Sequence, residues 1–378
     1  MQNTIYLDAN ATTALLPEVR EAMLPFLDAS FGNASSVHQR GQRARSAVDH
    51  AREQVATLIG CRANEVVFTS GGTESDNLAL FGTLRAGDHL ITSQIEHHAV
   101  LHAAEELQKR GVEVTFLAPK KDGRIETEAV RAAIQPNTRL VSIMLANNET
   151  GVLNPIAEIA KIAHEAGALV HTDAVQGGGK IVIDVRSFGV DLLSLSAHKM
   201  HGPQGAGALF VKKGVKLQPL FFGGAHERQR RAGTENVAAI AGMGVAAEYA
   251  RSFLKNDGER QIGVLRGSLQ EKLLQIPGTQ INGNTERVCN TLNIRFDGVD
   301  ADALVIALDL VGVAASAGSA CQSGSTEPSH VLLAMELSER DARSSLRLSL
   351  SRLTKADEID RAAEIIASTV QRLRNASL

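Results

Sequence analysis

Between residues 65 and 195, short apolar runs rich in β-branched residues alternate with longer amphipathic stretches, and this rhythm limits the possible folds more than any other feature. Residues 65–69, 89–93, 113–117, 139–145, 168–172 and 191–195 read as buried strands, being short, apolar and bounded by turn residues. Residues 43–59, 75–85, 99–110 and 156–166 repeat their apolar positions at the helical period. Parallel strands need crossover connections, and helices between strands supply them. The chain therefore predicts an α/β fold, a mainly parallel central sheet with helices on both faces. Ligands in such sheets bind beyond the carboxyl ends of the strands, so the residues just after each strand are the ones to inspect.

Beyond residue 256 the rhythm changes. A helical stretch (258–274), a strand (288–296), a helix (300–311) and a strand near 345–350 lead to a final helix. That helix opens at Thr354-x-x-Asp357, a capping-box pattern, and carries Ile359, Ala362, Ile366, Val370 and Leu373 on one face. This reads as a second, smaller α+β domain, and 378 residues are enough for more than one core.

Several functions are disfavoured. Lys+Arg number 39 against 42 Asp+Glu, and aromatics make up 3% with no Trp, so neither a basic field nor a stacking surface points to nucleic acid. The basic run at 226–231 is short and reads as a solvated loop. The three cysteines, Cys61, Cys289 and Cys321, form no C-x-x-C pair, which argues against a disulfide framework or a metal site built from this chain alone. His98 and His102 are four apart but lack the His-Glu-x-x-His pattern. No apolar run is long enough for a membrane span and the start has no secretory pattern, so a cytoplasmic location is expected. Gly177-Gly178-Gly179-Lys180 resembles part of a phosphate loop but continues with Ile181 where Ser or Thr would bind magnesium.

The chemistry gathers at the strand ends. Lys199, in Ser196-Ala197-His198-Lys199, follows a hydrophobic strand among small and hydroxylated residues, a setting suited to a Schiff base with pyridoxal phosphate. Asp173 ends an earlier strand, where a carboxylate can pair with a pyridinium nitrogen. Ser70-Gly71-Gly72-Thr73-Glu74-Ser75 lies between a strand and a helix expected to begin near Ser75, and its backbone N–H groups suit a phosphate. Glu96-His97-His98 and Asn147-Asn148-Glu149-Thr150-Gly151 offer an imidazole and amides after two further strands. Cys321 sits in Ser319-Ala320-Cys321-Gln322-Ser323-Gly324, a small-residue loop with little to pack, whereas Cys61 and Cys289 read as packing residues.

YLDANATT, FGNASSVH, FTSGGTESDN, ANNETG, HTDAVQ, SAHKMHGP, RRAGTEN, SAGSACQSGSTEPSHV and SLRLSLSR occur in the order seen in class V, fold-type I pyridoxal-phosphate enzymes. Within that class the chain resembles cysteine desulfurases of the NifS/IscS group, most closely the NifS-type branch, over nearly its whole length. The resemblance implies a large cofactor-binding domain at residues 16–256, and a small domain of residues 1–15 with 257–378 that carries the catalytic cysteine loop. It implies that Lys199 binds the cofactor, Asp173 pairs with the pyridine nitrogen and His97 stacks on the ring. Gln176 would bond the phenolic oxygen, with Asn148 near that oxygen and the substrate carboxylate. Gly72, Thr73, Ser196 and His198 would hold the phosphate. Thr234 would reach the phosphate of the neighbouring subunit in a homodimer, and Arg347 would clamp the carboxylate of L-cysteine. Lys199 would move the α-proton with His97 assisting, and Cys321 would take the sulfur as a persulfide for an acceptor protein such as an iron–sulfur scaffold, leaving L-alanine. A selenocysteine lyase, a small-substrate aminotransferase of the same class and a non-catalytic scaffold are the competing readings. Gln204, Ala317 and Gln322 depart from the usual pattern without removing an assigned group.

Overall fold

The computed structural model describes residues 4–283, 286–318 and 327–376. After β1 (Ile5–Tyr6), the strands β2 (Val66–Thr69), β3 (His89–Ser93), β4 (Glu113–Leu117), β5 (Thr138–Ser142), β6 (Leu169–Asp173), β7 (Leu192–Ser196) and β8 (Gly207–Val211) follow in the chain, and the last seven form one sheet ordered β2-β8-β7-β6-β5-β3-β4. From β7 to β4 every pairing is parallel, and β8 alone runs against both of its neighbours. The short link from Ser196 to Gly207 has no room for a crossover helix, so the strand returns antiparallel. Alternation along the strands sorts side chains to the two faces. Val66, Phe68, Leu193 and Leu195 enter one core, while Val67, Leu192 and Leu209 enter the other.

The helix Val237–Lys255 covers one face, and periodicity alone does not announce it. Its Ala- and Gly-rich sequence is buried nearly all round, so it has no strong polar stripe. A Cβ on Gly244 would stand 2.5 Å from Ala51 Cα, so the bare glycine allows this helix to lie directly against Gln39–Ile59.

The later strands are β9 (Thr279–Ile281), β10 (Thr291–Phe296), β11 (Val313–Ala314) and β12 (Ser345–Ser349). They give an antiparallel sheet, β12-β10-β9, and a parallel pairing of β1 with β11. Ile5 and Leu7 therefore share a core with Leu292, Ile294, Leu348 and Ile366, far from them in sequence. The final helix runs Ala356–Ala376, and its start differs from the expected pattern. Thr354 Oγ1 accepts from the Ser351 N–H, while Glu358 accepts from the Lys355 N–H, which shifts the box by one residue. Among the described residues no helix is long and apolar enough to cross a membrane.

One backbone contact links the sheet to the loop after β2. A Cβ on Gly207 would lie 2.6 Å from the Gly71 backbone, a clash that neither strand nor loop can relieve without moving. Gly207→Ala is expected to cost about 1–3 kcal/mol, read as a lower thermal midpoint in differential scanning calorimetry. A midpoint equal to that of the parent would show that the loop can yield.

Candidate active site

Local sequence sets the positions of the strand-end groups. The helix Gly72–Thr83 begins earlier than expected, so Gly72 and Thr73 lie in its first turn, where backbone N–H groups point outward without helical partners. His97 caps the helix His98–Lys109, its Nδ1 accepting from the Ala99 N–H at 3.1 Å. That contact leaves the proton of the neutral ring on Nε2. Lys199 ends a single 3-10 turn after β7. These groups meet in a cavity of about 390 Å³, also lined by Asn148, Asp173, Gln176, Ser196, His198 and Arg347.

Nζ of Lys199 donates to the carbonyls of Asn10 at 2.6 Å and Ala11 at 2.7 Å. Burial, reinforced by Lys199, pushes His97 down to about 4, and the same causes bring His198 to about 4. Both rings are neutral at neutral pH. His198 Nδ1 is 3.1 Å from Thr12 Oγ1.

On the opposite wall, burial raises Asp173 to about 6, against the lowering effects of the Val175 N–H and Lys199. Asp76 lies beside it, fully buried and raised well above the usual carboxylate range by burial and by the Asp173 charge. Among the described residues, one oxygen of Asp76 has no hydrogen-bond partner, with His171 Nε2 at 3.6 Å. His171 is held at about 3 by burial, and its ring is bracketed by the Ser142 and Ser194 hydroxyls. Two adjacent buried carboxyls, both raised above their ordinary range, suit a protonated ring nitrogen. Behind His97, burial raises Glu96 to about 8 although the Ser93 hydroxyl and the Met144 N–H both donate to it.

Arg347 comes from β12, in the other core, and is 2% exposed. Its guanidinium donates to Asp8 Oδ1 at 2.8 Å and to the Asn148 carbonyl at 3.2 Å, and its Nε is unpartnered among the described residues. Asn148 Oδ1 is likewise buried without a partner on the cavity wall. Gln176 Nε2 donates to the Asn10 carbonyl at 3.0 Å.

Thr234 is exposed and does not line this cavity. Its segment is tied to the loop after β2 by Arg231, which lies 2.9 Å from Glu74 and, with the Ser70 N–H, holds that carboxylate below its ordinary range. Cys321 lies outside the described residues. On the near side of it, Ser316 exchanges two backbone hydrogen bonds with Arg347, and on the far side Ser329 Oγ is 2.5 Å from Glu149 Oε2. Burial pushes the Cys61 and Cys289 thiols up to about 12 and 11, so neither forms a thiolate near neutrality. His98 stands 5.0 Å from His102 and 4.7 Å from His330, ring centre to ring centre. Asn10, Asp76 and Lys180 belong to the site although no strand-end rule singles them out. The YLDANATT motif was the one available signal for Asn10.

The class-V aminotransferase family matches residues 5–362 of the chain. The chain is 47% identical over 378 residues to "Cysteine desulfurase IscS" of Methanosarcina thermophila, covering 99% of this chain and 93% of that protein. Among solved structures, a "NIFS-LIKE PROTEIN" superposes with a TM-score of 0.91 at 34% identity, covering 98% of this chain and all of the other. "SspA in complex with cysteine" matches with a TM-score of 0.81 at 37% identity, over 91% of this chain and 98% of that one.

His201 gives a pH test of the site's surroundings. Its imidazole is brought to about 4 by burial and Arg352, whereas in the unfolded chain it titrates near its ordinary 6.5. Below that value the unfolded state binds a proton that the native state refuses, so this contribution to stability is lost as pH falls from 6.5 toward 4. The residue has a φ of 67°, which Asn tolerates. His201→Asn is expected to lose less thermal stability than the parent across that window, and equal losses would refute the assignment.

Proposed function

The chain belongs to the class-V aminotransferases and, within them, to the cysteine desulfurases; from that premise we propose that it uses pyridoxal phosphate held at Lys199 to convert L-cysteine to L-alanine, passing the sulfur through Cys321. The observation that carries this reading is a single cavity lined by Lys199, Asp173 and Arg347, an amine, a buried carboxylate and a buried guanidinium drawn from distant parts of the chain.

The residues present fit the cofactor. The unpartnered Asp76 oxygen and the raised Asp173 carboxyl await a cationic ring nitrogen, and the unpartnered Asn148 amide oxygen awaits a donor. A Cβ on Gly72 would meet Val175 at 2.8 Å, so the bare helix start keeps the phosphate cradle open. When bound, pyridoxal phosphate supplies a carbonyl for the lysine amine and a ring that withdraws electrons from the substrate α-carbon.

Gly72, Thr73, Ser196 and His198 would hold the phosphate, and Thr234 would add a hydroxyl to the phosphate of a neighbouring subunit, which would make the active form a homodimer. Neutral His97 would stack on the ring, and its Nε2 proton would be available for transfer. Asp173 would hold the proton on the ring nitrogen, and Gln176 would donate to the phenolic oxygen. Arg347 binds the substrate carboxylate through its planar fork, a task a lysine performs less well. Lys199 removes the α-proton and returns one to the substrate. Cys321 Sγ then attacks the substrate sulfur: an S–S bond forms as the Cβ–S bond breaks. The electron pair remains at Cβ, which takes a proton and becomes the methyl group of alanine. The persulfide is carried to an acceptor protein, an iron–sulfur scaffold being the fitting class. Residues 16–256 form the large domain, with 1–15 and 257–378 as the small one. A cytoplasmic site of action suits Cys61 and Cys289, both free thiols.

Cys321→Ser, assayed with L-cysteine and a thiol reductant, is expected to lose sulfide release by about two orders of magnitude while keeping the visible cofactor absorbance that Lys199→Ala abolishes. Undiminished sulfide release would overturn the persulfide route. Arg347→Lys is expected to raise KM for L-cysteine about tenfold or more with the cofactor absorbance unchanged, and an unaltered KM would remove Arg347 from substrate binding.

A further inference from the structure

We propose that Lys180 is a positioning residue for the cofactor, fixing the Gln176 amide so that its N–H rather than its carbonyl oxygen faces the phenolic oxygen of pyridoxal phosphate. This rests on the reading of the site given above.

Lys180 is 7% exposed and makes no ion pair among the described residues. Its Nζ lies 2.5 Å from Gln176 Oε1 and 3.0 Å from Asn10 Oδ1. Both partners are carbonyl oxygens, so the amine donates to both whether it carries two hydrogens or three. Asn10 cannot reverse its amide. Its Oδ1 also accepts from Asn290 Nδ2 at 3.0 Å, and its Nδ2 donates to the Asn148 carbonyl at 3.1 Å and Thr291 Oγ1 at 2.8 Å.

Gln176 is fixed from two sides as a result. Its Oε1 is committed to Lys180, and one Nε2 hydrogen to the Asn10 carbonyl at 3.0 Å. The second Nε2 hydrogen is left for the cavity that Gln176 lines. Reversing the amide would set oxygen against the Asn10 carbonyl in either state of the lysine, and NH₂ against its ammonium form, conflicts in a buried site. It would also turn an acceptor toward an oxygen that carries negative charge. The glycine-rich stretch 177–179 thus has a use other than a phosphate loop: it turns the chain so that residues 176 and 180 meet.

Lys199, Arg347, His198, His201 and Cys289 are the titratable groups that face Lys180. Burial and the Lys199 charge bring its amine down to about 7, so a fixed positive charge is not what it reliably offers. What it offers in either state is two hydrogens for two carbonyl oxygens, and in its charged state no lone pair with which to accept.

The test uses the holoenzyme, with cofactor absorbance followed against pH and cofactor affinity measured by titration of the stripped protein. A donor to the phenolic oxygen eases loss of the proton shared between that oxygen and the Lys199 nitrogen, so losing the donor raises the midpoint. Lys180→Met is expected to raise it by about one pH unit and to weaken cofactor binding about tenfold. Gln176→Ala is expected to do the same, and Lys180→Met added to Gln176→Ala to shift the midpoint little further. A parental midpoint in Lys180→Met, or a full shift that persists without Gln176, would overturn the positioning role. If Lys180→Met does not fold, Gln176→Glu decides. Lys180 would hold one carboxylate oxygen and leave the other facing the cofactor, giving a midpoint above that of Gln176→Ala. An equal or lower midpoint would overturn the role. A holoenzyme with no absorbance dependent on Lys199 would instead overturn the reading of the site, and this proposal with it.

Discussion

Asn10 is the joint on which both cores meet. It follows β1, which pairs with β11 and packs in the C-terminal core, yet its carbonyl accepts from Lys199 and Gln176 in the large sheet's loops. Its side chain binds Lys180, Asn290, Thr291 and the Asn148 backbone, each bond buried. A residue buried this deeply with every polar atom engaged cannot turn without leaving several groups unsatisfied, so the geometry of the cavity depends on it.

The cavity's electrostatics follow from that packing. The cavity is lined by Lys199 and Arg347 as well as Asp173 and Asp76, and Lys180 lies behind its Gln176 lining. Burial opposes charge on both signs, which is why Lys180 falls toward neutrality while the two carboxyls rise, with the Lys199 charge adding to the first effect and the Asp173 charge to the rise of Asp76. Neutral His97 and His198 line the cavity as well. The site is already polarised before a guest enters. A guest with an anionic end, a cationic ring nitrogen and a carboxylate would relieve strain already held in the protein rather than having to reorganise it.

The parts of this arrangement legible in the sequence are those produced by local rules. Lys199, Asp173, His97, Asn148 and Gly72–Thr73 lie at strand ends, and a parallel sheet brings strand ends together whatever the details of packing. β8 was less legible because its reversal depends on the length of one link, and the helix Val237–Lys255 because small residues buried all round leave no periodic signature. Lys180 resembled a fragment of an unrelated motif, since its partner Gln176 has meaning only once Asn10 is in place. Asp76 looked like an ordinary helix residue, because its burial against Asp173 is created by the sheet and not by its neighbours in sequence.

By itself the sequence determined the layered α/β architecture, the order of the strand-end motifs and the family resemblance they carry, because periodicity and short motifs are local properties of the chain. Tertiary structure alone decided that β1 pairs with β11 and packs in the C-terminal core, that Arg347 reaches the loops of the large sheet, and that Lys180 and Asn10 together fix the Gln176 amide. Those contacts join residues up to some three hundred positions apart. No local preference specifies such distances, and they are set by which apolar faces must be buried against each other.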